Sequence, residues 1–257
     1  MKEVLLDIDE KGVAMVSMNR PHVFNAINDV LVDCLDEVLD ICVNDPNVRC
    51  IVLSGEGKAF CAGGDLSYLE SLDEEQTLVF FKKLGALTYK LYNLPKPVIA
   101  MVNGAAAGAG FNIVLACDLV YADQLARFGQ SFSKVGLIPD FGGLYLLPKI
   151  IGPYRAKQLM FSGELLSCSI AYRMGFINKV CMRENLYEET VKAARQLARC
   201  APLSIKLIKK YVNDDTLTLE QVLDIELAEQ PRCMATEDFK EGVAAFKEKR
   251  NPRFKGK

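Results

Sequence analysis

Three stretches of this chain hold residue types that can do chemistry. The first is Asn103-Gly-Ala-Ala-Ala-Gly-Ala-Gly110, with three glycines and four alanines in eight residues. The apolar run Val98-Ile-Ala-Met-Val102 leads into it and Phe111-Asn-Ile-Val-Leu-Ala-Cys117 leads out, which reads as buried strand, tight turn and helix. At a helix N-terminus the first amides lack intrahelical partners, the dipole favours negative charge, and small residues let a ligand approach the backbone. A helix packed tightly on a sheet would use the same residues. The second stretch, Lys58-Ala-Phe-Cys-Ala-Gly-Gly-Asp-Leu66, is also a small-residue turn after an apolar strand. One amide from each turn, converging on one carbonyl oxygen, forms an oxyanion hole, where loss of a donor raises the barrier by roughly 2.7–4 kcal/mol. Such a hole suits a thioester whose oxygen gains charge as an enolate forms. The third is Asp140, in Val135-Gly-Leu-Ile-Pro-Asp-Phe-Gly-Gly143. An apolar setting between Ile138-Pro139 and Phe141 would lift its pKa above the roughly 3.9 of a free side chain. A carboxylate so tuned takes and returns a proton near neutral pH. On spacing alone, a turn or helix N-cap aspartate ahead of Gly142 is the simpler reading.

Other chemistries find little support. The single histidine, His22, sits beside Arg20-Pro21 and reads as a surface or packing residue. None of the nine cysteines forms a Cys-x-x-Cys pair, which argues against zinc sites and a disulfide framework. Cys34, Cys42 and Cys117 lie in apolar runs as core filler. Gly108-Ala-Gly110 is followed by Ile113 where a dinucleotide fingerprint needs glycine, and Gly57-Lys58 lacks the earlier glycine of a phosphate loop. Asp65 and Asp118 are expected to cap or brace. A net charge of −2 provides no basic footprint for nucleic acid. The tail from Phe246 to Lys257 carries six basic residues against one acid, a pattern more often only solvated. Without a signal peptide or a membrane-length apolar segment, the expectation is a soluble cytoplasmic protein.

The elements that must position these groups follow from periodicity. Val4 to Asp9 and Val13 to Met18 read as strands, Asn25 to Val43 as an amphipathic helix, and Arg49 to Ser54 as a short strand. A helix from about Glu74 to Tyr92 precedes the central strand at Val98. Asp118 to Tyr121 and Arg127 to Gln130 read as strands. Leu144 to Ile151, Tyr154 to Phe161 and Ser167 to Met174 read as helices, with a short strand near Lys179 to Cys181. From Leu186 to about Lys247 the pattern is helical, punctuated by Pro202 and Pro231. Alternating strands and helices predict an α/β fold with a mostly parallel sheet and an all-helical last quarter, with no convincing short repeat.

These residues resemble the crotonase family, the enoyl-CoA hydratase/isomerase superfamily. The resemblance rests on Asn19-Arg-Pro21 with Asn25-Ala26, Ala59-Phe-Cys-Ala-Gly-Gly-Asp65, Lys96-Pro-Val98, Asn103-Gly104 with Gly108, Cys117-Asp118, and Gly136 to Gly143, in order along nearly the whole chain. It implies a spiral of ββα units over residues 1–195 carrying an acyl-CoA site. Residues 196–257 would be a C-terminal helical oligomerisation region that builds homotrimers or dimers of trimers. It also implies a coenzyme A thioester as substrate, with no metal and no permanently bound cofactor. The oxyanion amides would be those of Ala62 and Ala109. Ala62, Gly63, Gly64, Asp65 and Leu66, with Val23 and Phe24, would line the adenine and pantetheine path. Phe246 and Lys249 match positions that reach coenzyme A from a helical tail, often a neighbour's. The two glutamates of typical hydratases are replaced by Asn112 and Phe132, neither of which is a general base. Asp140 instead matches the acid of enoyl-CoA isomerases of the phenylacetate-catabolism type. The expected activity is therefore a double-bond shift with Asp140 as acid and base. A hydratase using another acid and a non-catalytic acyl-CoA-binding subunit are the alternatives.

Overall fold

The computed structural model describes residues 2–257. Strands β1 (Val4–Ile8) and β2 (Val13–Met18) form an antiparallel hairpin, with Val4 opposite Met18 and Ile8 opposite Ala14. Onto β2 are added, all parallel, β3 (Cys50–Gly55), β5 (Val98–Val102), β7 (Leu119–Asp123) and β10 (Lys179–Cys181). A second, smaller sheet runs in the order β4 (Ala59–Cys61), β6 (Ala105–Ala107), β8 (Arg127–Gly129) and β9 (Leu165–Ser167), with only the last pair antiparallel.

Each of β3, β5 and β7 is followed by one short strand of the second sheet and then by helix. After β4 come α2 (Leu66–Glu70) and α3 (Glu74–Asn93). After β6 comes α4 (Ala109–Ala116). After β8 come a 3-10 turn (Ser131–Val135), α5 (Gly143–Ile151) and α6 (Pro153–Ser162). The chain is thus a spiral of ββα turns. That repeat lies in three dimensions rather than in residue identity. The helix before the first turn, α1, spans Asp29–Asn44, and α7 (Cys168–Met174) joins β9 to β10. The last quarter comprises α8 (Leu186–Ala198), α9 (Pro202–Val212), α10 (Leu219–Met234) and α11 (Glu237–Glu248).

Two departures from the sequence expectation bear on the site. Helix α1 begins four residues later than Asn25, capped by the Asn28 side chain, which accepts from Leu31 N–H at 2.9 Å. Asn25 itself is fully buried at a φ of 59°, and its Nδ2 donates to the carbonyls of Glu56, Ala59 and Phe60. A side chain committed to three distant carbonyls and a left-handed backbone exclude this residue from a helix. Secondly, β4 and β6 lie in what reads locally as turn. Alanine has little strand preference, so these segments are strands because their neighbours complete the ladder. Elsewhere, β9 takes the chain just ahead of α7. Pro202 opens α9, but Pro231 lies inside the last turn of α10, where it removes only a hydrogen bond to the Leu227 carbonyl.

The core lies on both faces of the large sheet. One face packs against α1, α3 and the second sheet through Leu35, Leu53, Phe60, Leu87 and Val102, while α8 covers the other through Ala193, Ala194 and Ala198 over Val52 and Ile99. All eight residues of α4 are buried, as expected of a helix apolar on every side. Its Phe111 meets Phe128 and Phe176 at ring separations of 5.0–5.6 Å.

The C-terminal helices are anchored to this core by one buried ion pair. Lys209 of α9, 7% exposed, donates to Asp118 Oδ2 at 2.8 Å, and the same oxygen accepts the Val98 N–H at 2.7 Å where β5 begins. Burial pushes the Asp118 carboxyl up from its ordinary value, against the pull of Lys209. Replacing Lys209 by Met strands that carboxylate and should lower stability to denaturant by about 3–5 kcal/mol. Combining it with Asp118→Asn, which keeps an oxygen for the Val98 amide, should recover much of the loss in the same unfolding experiment.

Candidate active site

The first small-residue turn follows β4. The Ala62 N–H, expected to be an oxyanion donor, already donates to the Phe24 carbonyl at 3.0 Å, so it is not free to hold a ligand. The open amide lies two residues on. Ile27 pairs with Gly64 as a parallel bridge, in which Ile27 N–H bonds the Gly63 carbonyl at 2.8 Å and Asp65 N–H bonds the Ile27 carbonyl at 2.9 Å. Successive peptide groups of an extended segment point to opposite sides. The Gly64 N–H therefore points away from Ile27, and it has no partner among the described residues.

The second turn leads from β6 into α4. Gly108, at a φ of 52°, is the N-cap, and Ala109 is the first helical residue. Its N–H is one of the orphan donors of a helix start, with the dipole behind it. The two turns touch. A Cβ placed on Gly63 would lie 2.9 Å from the Ala107 carbonyl oxygen and 3.7 Å from the Ala109 nitrogen. One on Gly110 would lie 2.3 Å from the Cys61 carbonyl oxygen. Any side chain at Gly63 or Gly110 would force the turns apart. The structure thus brings two unpaired amides, of Gly64 and Ala109, into adjoining loops.

Asp140 stands beside both. Asn112, one helical turn beyond Ala109, donates through Nδ2 to the Asp140 carbonyl at 2.8 Å. The Asp140 charge also acts on the thiol of Cys61, at the end of β4, whose pKa burial pushes up to about 12. The Asp140 side chain does not cap a helix: the N-cap of α5 is Gly142, without a side-chain bond. Its Oδ1 is buried with no partner. Burial raises the carboxyl from 3.8 to about 7, opposed only by a hydrogen bond from its own backbone. The ring of Phe132 packs on Gly108 nearby, and Phe141 is 3% exposed. Ile138, expected to shield the acid, is 75% exposed and does not do so within the single chain.

The remaining site residues separate into two groups. Val23 ends a 3-10 turn, and the Phe24 carbonyl receives the Ala62 amide, so this corner adjoins the run from Ala62 to Leu66. Phe24, Ala62 and Leu66 are exposed along that edge. Asp65 braces it: Oδ1 caps α2 through Tyr68 N–H at 3.3 Å, and Oδ2 accepts from Arg20 at 3.1 Å. His22 is exposed. Phe246 and Lys249, by contrast, stand at the end of α11. Phe246, 86% exposed, borders an apolar groove of about 450 Å³ with Leu203, Phe239 and Phe254, a groove lined by no residue of either turn. The single chain does not bring these two residues to the turns. From sequence, Gly64 is expected only along the coenzyme path and not as an oxyanion donor, and the bond from Asn112 to Asp140 is not foreseen. No local signal marks Gly64 over Ala62, because the choice depends on which amide Phe24 takes.

With this geometry in view, comparison with known proteins is informative. Residues 9–257 match the family pattern described as Enoyl-CoA hydratase/isomerase. The chain is 39% identical to a trans-2-decenoyl-[acyl-carrier-protein] isomerase of Streptococcus mutans, over 100% of this chain and 99% of that protein. It is 40% identical to a 1,2-epoxyphenylacetyl-CoA isomerase of Escherichia coli over the full length of both. It is also 35% identical to a crotonyl-CoA hydratase of Syntrophomonas wolfei over 98% of each. A crystal structure of an enoyl-CoA hydratase from Bacillus anthracis superposes with a TM-score of 0.95 at 32% identity, covering 99% of this chain and 100% of that one. A spiral of ββα turns, two adjoining small-residue loops and a match along nearly the whole sequence lead to one conclusion: this chain belongs to the enoyl-CoA hydratase/isomerase family.

Proposed function

We propose that the protein is an enoyl-CoA isomerase that shifts a carbon–carbon double bond through a thioester enolate. The amides of Gly64 and Ala109 receive the thioester oxygen of a 3-enoyl substrate. The Asp140 carboxylate removes a proton from C2, and the electron pair delocalises onto that oxygen and, through the C3–C4 double bond, onto C4. The resulting carboxylic acid returns the proton at C4, which leaves a 2-enoyl thioester and restores the carboxylate. The observation that carries this reading is the buried, unpartnered Oδ1 of Asp140, on a loop bonded through Asn112 to the helix that begins at Ala109. A pKa near 7 suits a group that must both accept and donate in one turnover. Asp65, the other acid of these loops, is engaged by Arg20 and the start of α2.

Hydration is the second reading, favoured by relatives that carry that name. Against it stand Phe132, which has no proton to exchange, and Asn112, whose amide is engaged at both ends. Coenzyme A is taken to run along Val23, Phe24 and the segment Ala62 to Leu66. Residues 1–195 are read as the catalytic core and 196–257 as the oligomerising region of a homotrimer or dimer of trimers. In support, α10 has no buried residue and presents Leu219, Leu223 and Leu227, each at least 54% exposed, on one face. Phe246 and Lys249 would then reach the coenzyme of a neighbouring subunit.

Given 3-enoyl-CoA, the protein should generate the absorbance of a conjugated enoyl thioester, whereas hydration of a 2-enoyl-CoA would remove it. Asp140→Asn should lower this turnover by roughly 10²–10⁴-fold while acyl-CoA still binds; undiminished turnover refutes the assignment. The same variant has a stability signature. A carboxyl raised in the folded state penalises folding when ionised, so the wild-type protein loses stability as pH rises from 3.8 through about 7. Asp140→Asn removes that penalty. Its thermal midpoint should exceed the wild type's at pH 8, by roughly 2–4 °C for each kcal/mol gained, and the difference should vanish near pH 4.

A further inference from the structure

We propose that Asn112 and Gln130 are positioning residues that hold the Asp140 peptide against α4 and so set the aim of the acid; this deepens the isomerase reading and rests on it. Both side chains are fully buried. The Asp140 carbonyl can only accept, so Asn112 must turn Nδ2 toward it, at 2.8 Å. That leaves Asn112 Oδ1 facing Gln130, whose Nε2 donates to it at 2.6 Å. The direction of both amides is therefore dictated by the backbone oxygen of the acid.

The bracket is needed because the loop it holds is strained. Phe141 and Gly142 follow Asp140 at φ values of 44° and 70°, and a left-handed aromatic residue persists only where its surroundings over-determine it. The space is also reserved: a Cβ on Gly143 would lie 2.3 Å from Asn112 Nδ2. Stability alone does not account for Gln130, because its Oε1 is buried without a partner. A buried unmet acceptor is a net cost. The arrangement is explained if it fixes geometry. Through Asn112, the helix whose first amide is Ala109's also fixes the base, so donor and acid move as one body.

Three substitutions test this from three elements. Gln130→Met exchanges one orphaned acceptor, Gln130 Oε1, for another, Asn112 Oδ1, so its unfolding midpoint should stay near that of the wild type. Asn112→Ala removes the donor, and Gly143→Ala pushes it aside. Each should lower kcat for a 3-enoyl-CoA by roughly 10- to 100-fold, as misplacement of a catalytic group does, with KM changed less than about twofold. Each should also move the acidic limb of kcat/KM from near pH 7 toward the ordinary carboxylate range, because a loosened loop admits water to Asp140. Cys61, the titratable side chain beside Asp140, remains a thiol throughout this range. A limb that stays in place, or unchanged kcat in Gln130→Met and Gly143→Ala, overturns the bracket. Asp140→Asn, run alongside, separates the two ideas. If it abolishes turnover while the bracket variants behave as wild type, only the bracket fails; if it retains turnover, the catalytic reading fails first.

Discussion

The structure depends on a helix that is buried on every side yet begins with amides that nothing among the described residues satisfies. All eight residues of α4 are buried, Ala109 to 1% exposure. A buried N–H without a partner costs about 1–3 kcal/mol. The fold carries this cost because the surrounding core over-determines the position of α4: Phe111 is locked among Phe128 and Phe176, and Gly110 sits against Cys61 at a separation that no side chain would allow. In the proposed reaction, a substrate oxygen that accumulates charge would meet a donor that needs no reorganisation to receive it, the condition under which such donors are most effective.

The second donor is supplied by a different device. Gly64 is freed by what its neighbours do. Phe24 takes the Ala62 amide, while Ile27 takes the Gly63 carbonyl and the Asp65 amide. Asn25 and Arg20 hold that partner segment in place, Asn25 through three carbonyls of the following turn and Arg20 through Ala26 and Asp65. The consecutive left-handed residues Phe24 and Asn25 are the backbone strain this arrangement requires. The site is thus an edge where a short ladder satisfies every second peptide and leaves one pointing outward.

Asp140 differs from Asp65 and Asp118 in what its carboxylate meets. Asp65 is paired with Arg20 and caps α2; Asp118 is paired with Lys209 and the Val98 amide. Asp140 has neither cation nor cap, so desolvation dominates its proton affinity, opposed only by its own backbone amide. Asn112, bonded to the Asp140 carbonyl, and Phe132, packed on Gly108, exchange no proton at neutral pH.

Much of this was legible in the order of residues. The periodicities of β2, β3, β5 and α3 and the all-helical last quarter follow from local pattern, because burial of a face imposes a period on the chain, while the family follows from the resemblance of its motifs. Asp140 could be picked out as an acid between apolar residues. What the order of residues left open was who bonds to whom. Ala62 and Gly64 are both small, both follow β4, and differ in one respect: the first meets a carbonyl from residue 24 and the second does not. Asn25 reads as the start of a helix until three distant carbonyls claim its side chain. Hydrogen bonds between segments far apart in the chain leave no periodic trace. A donor left vacant is the remainder of those pairings, and only the assembled fold decides it.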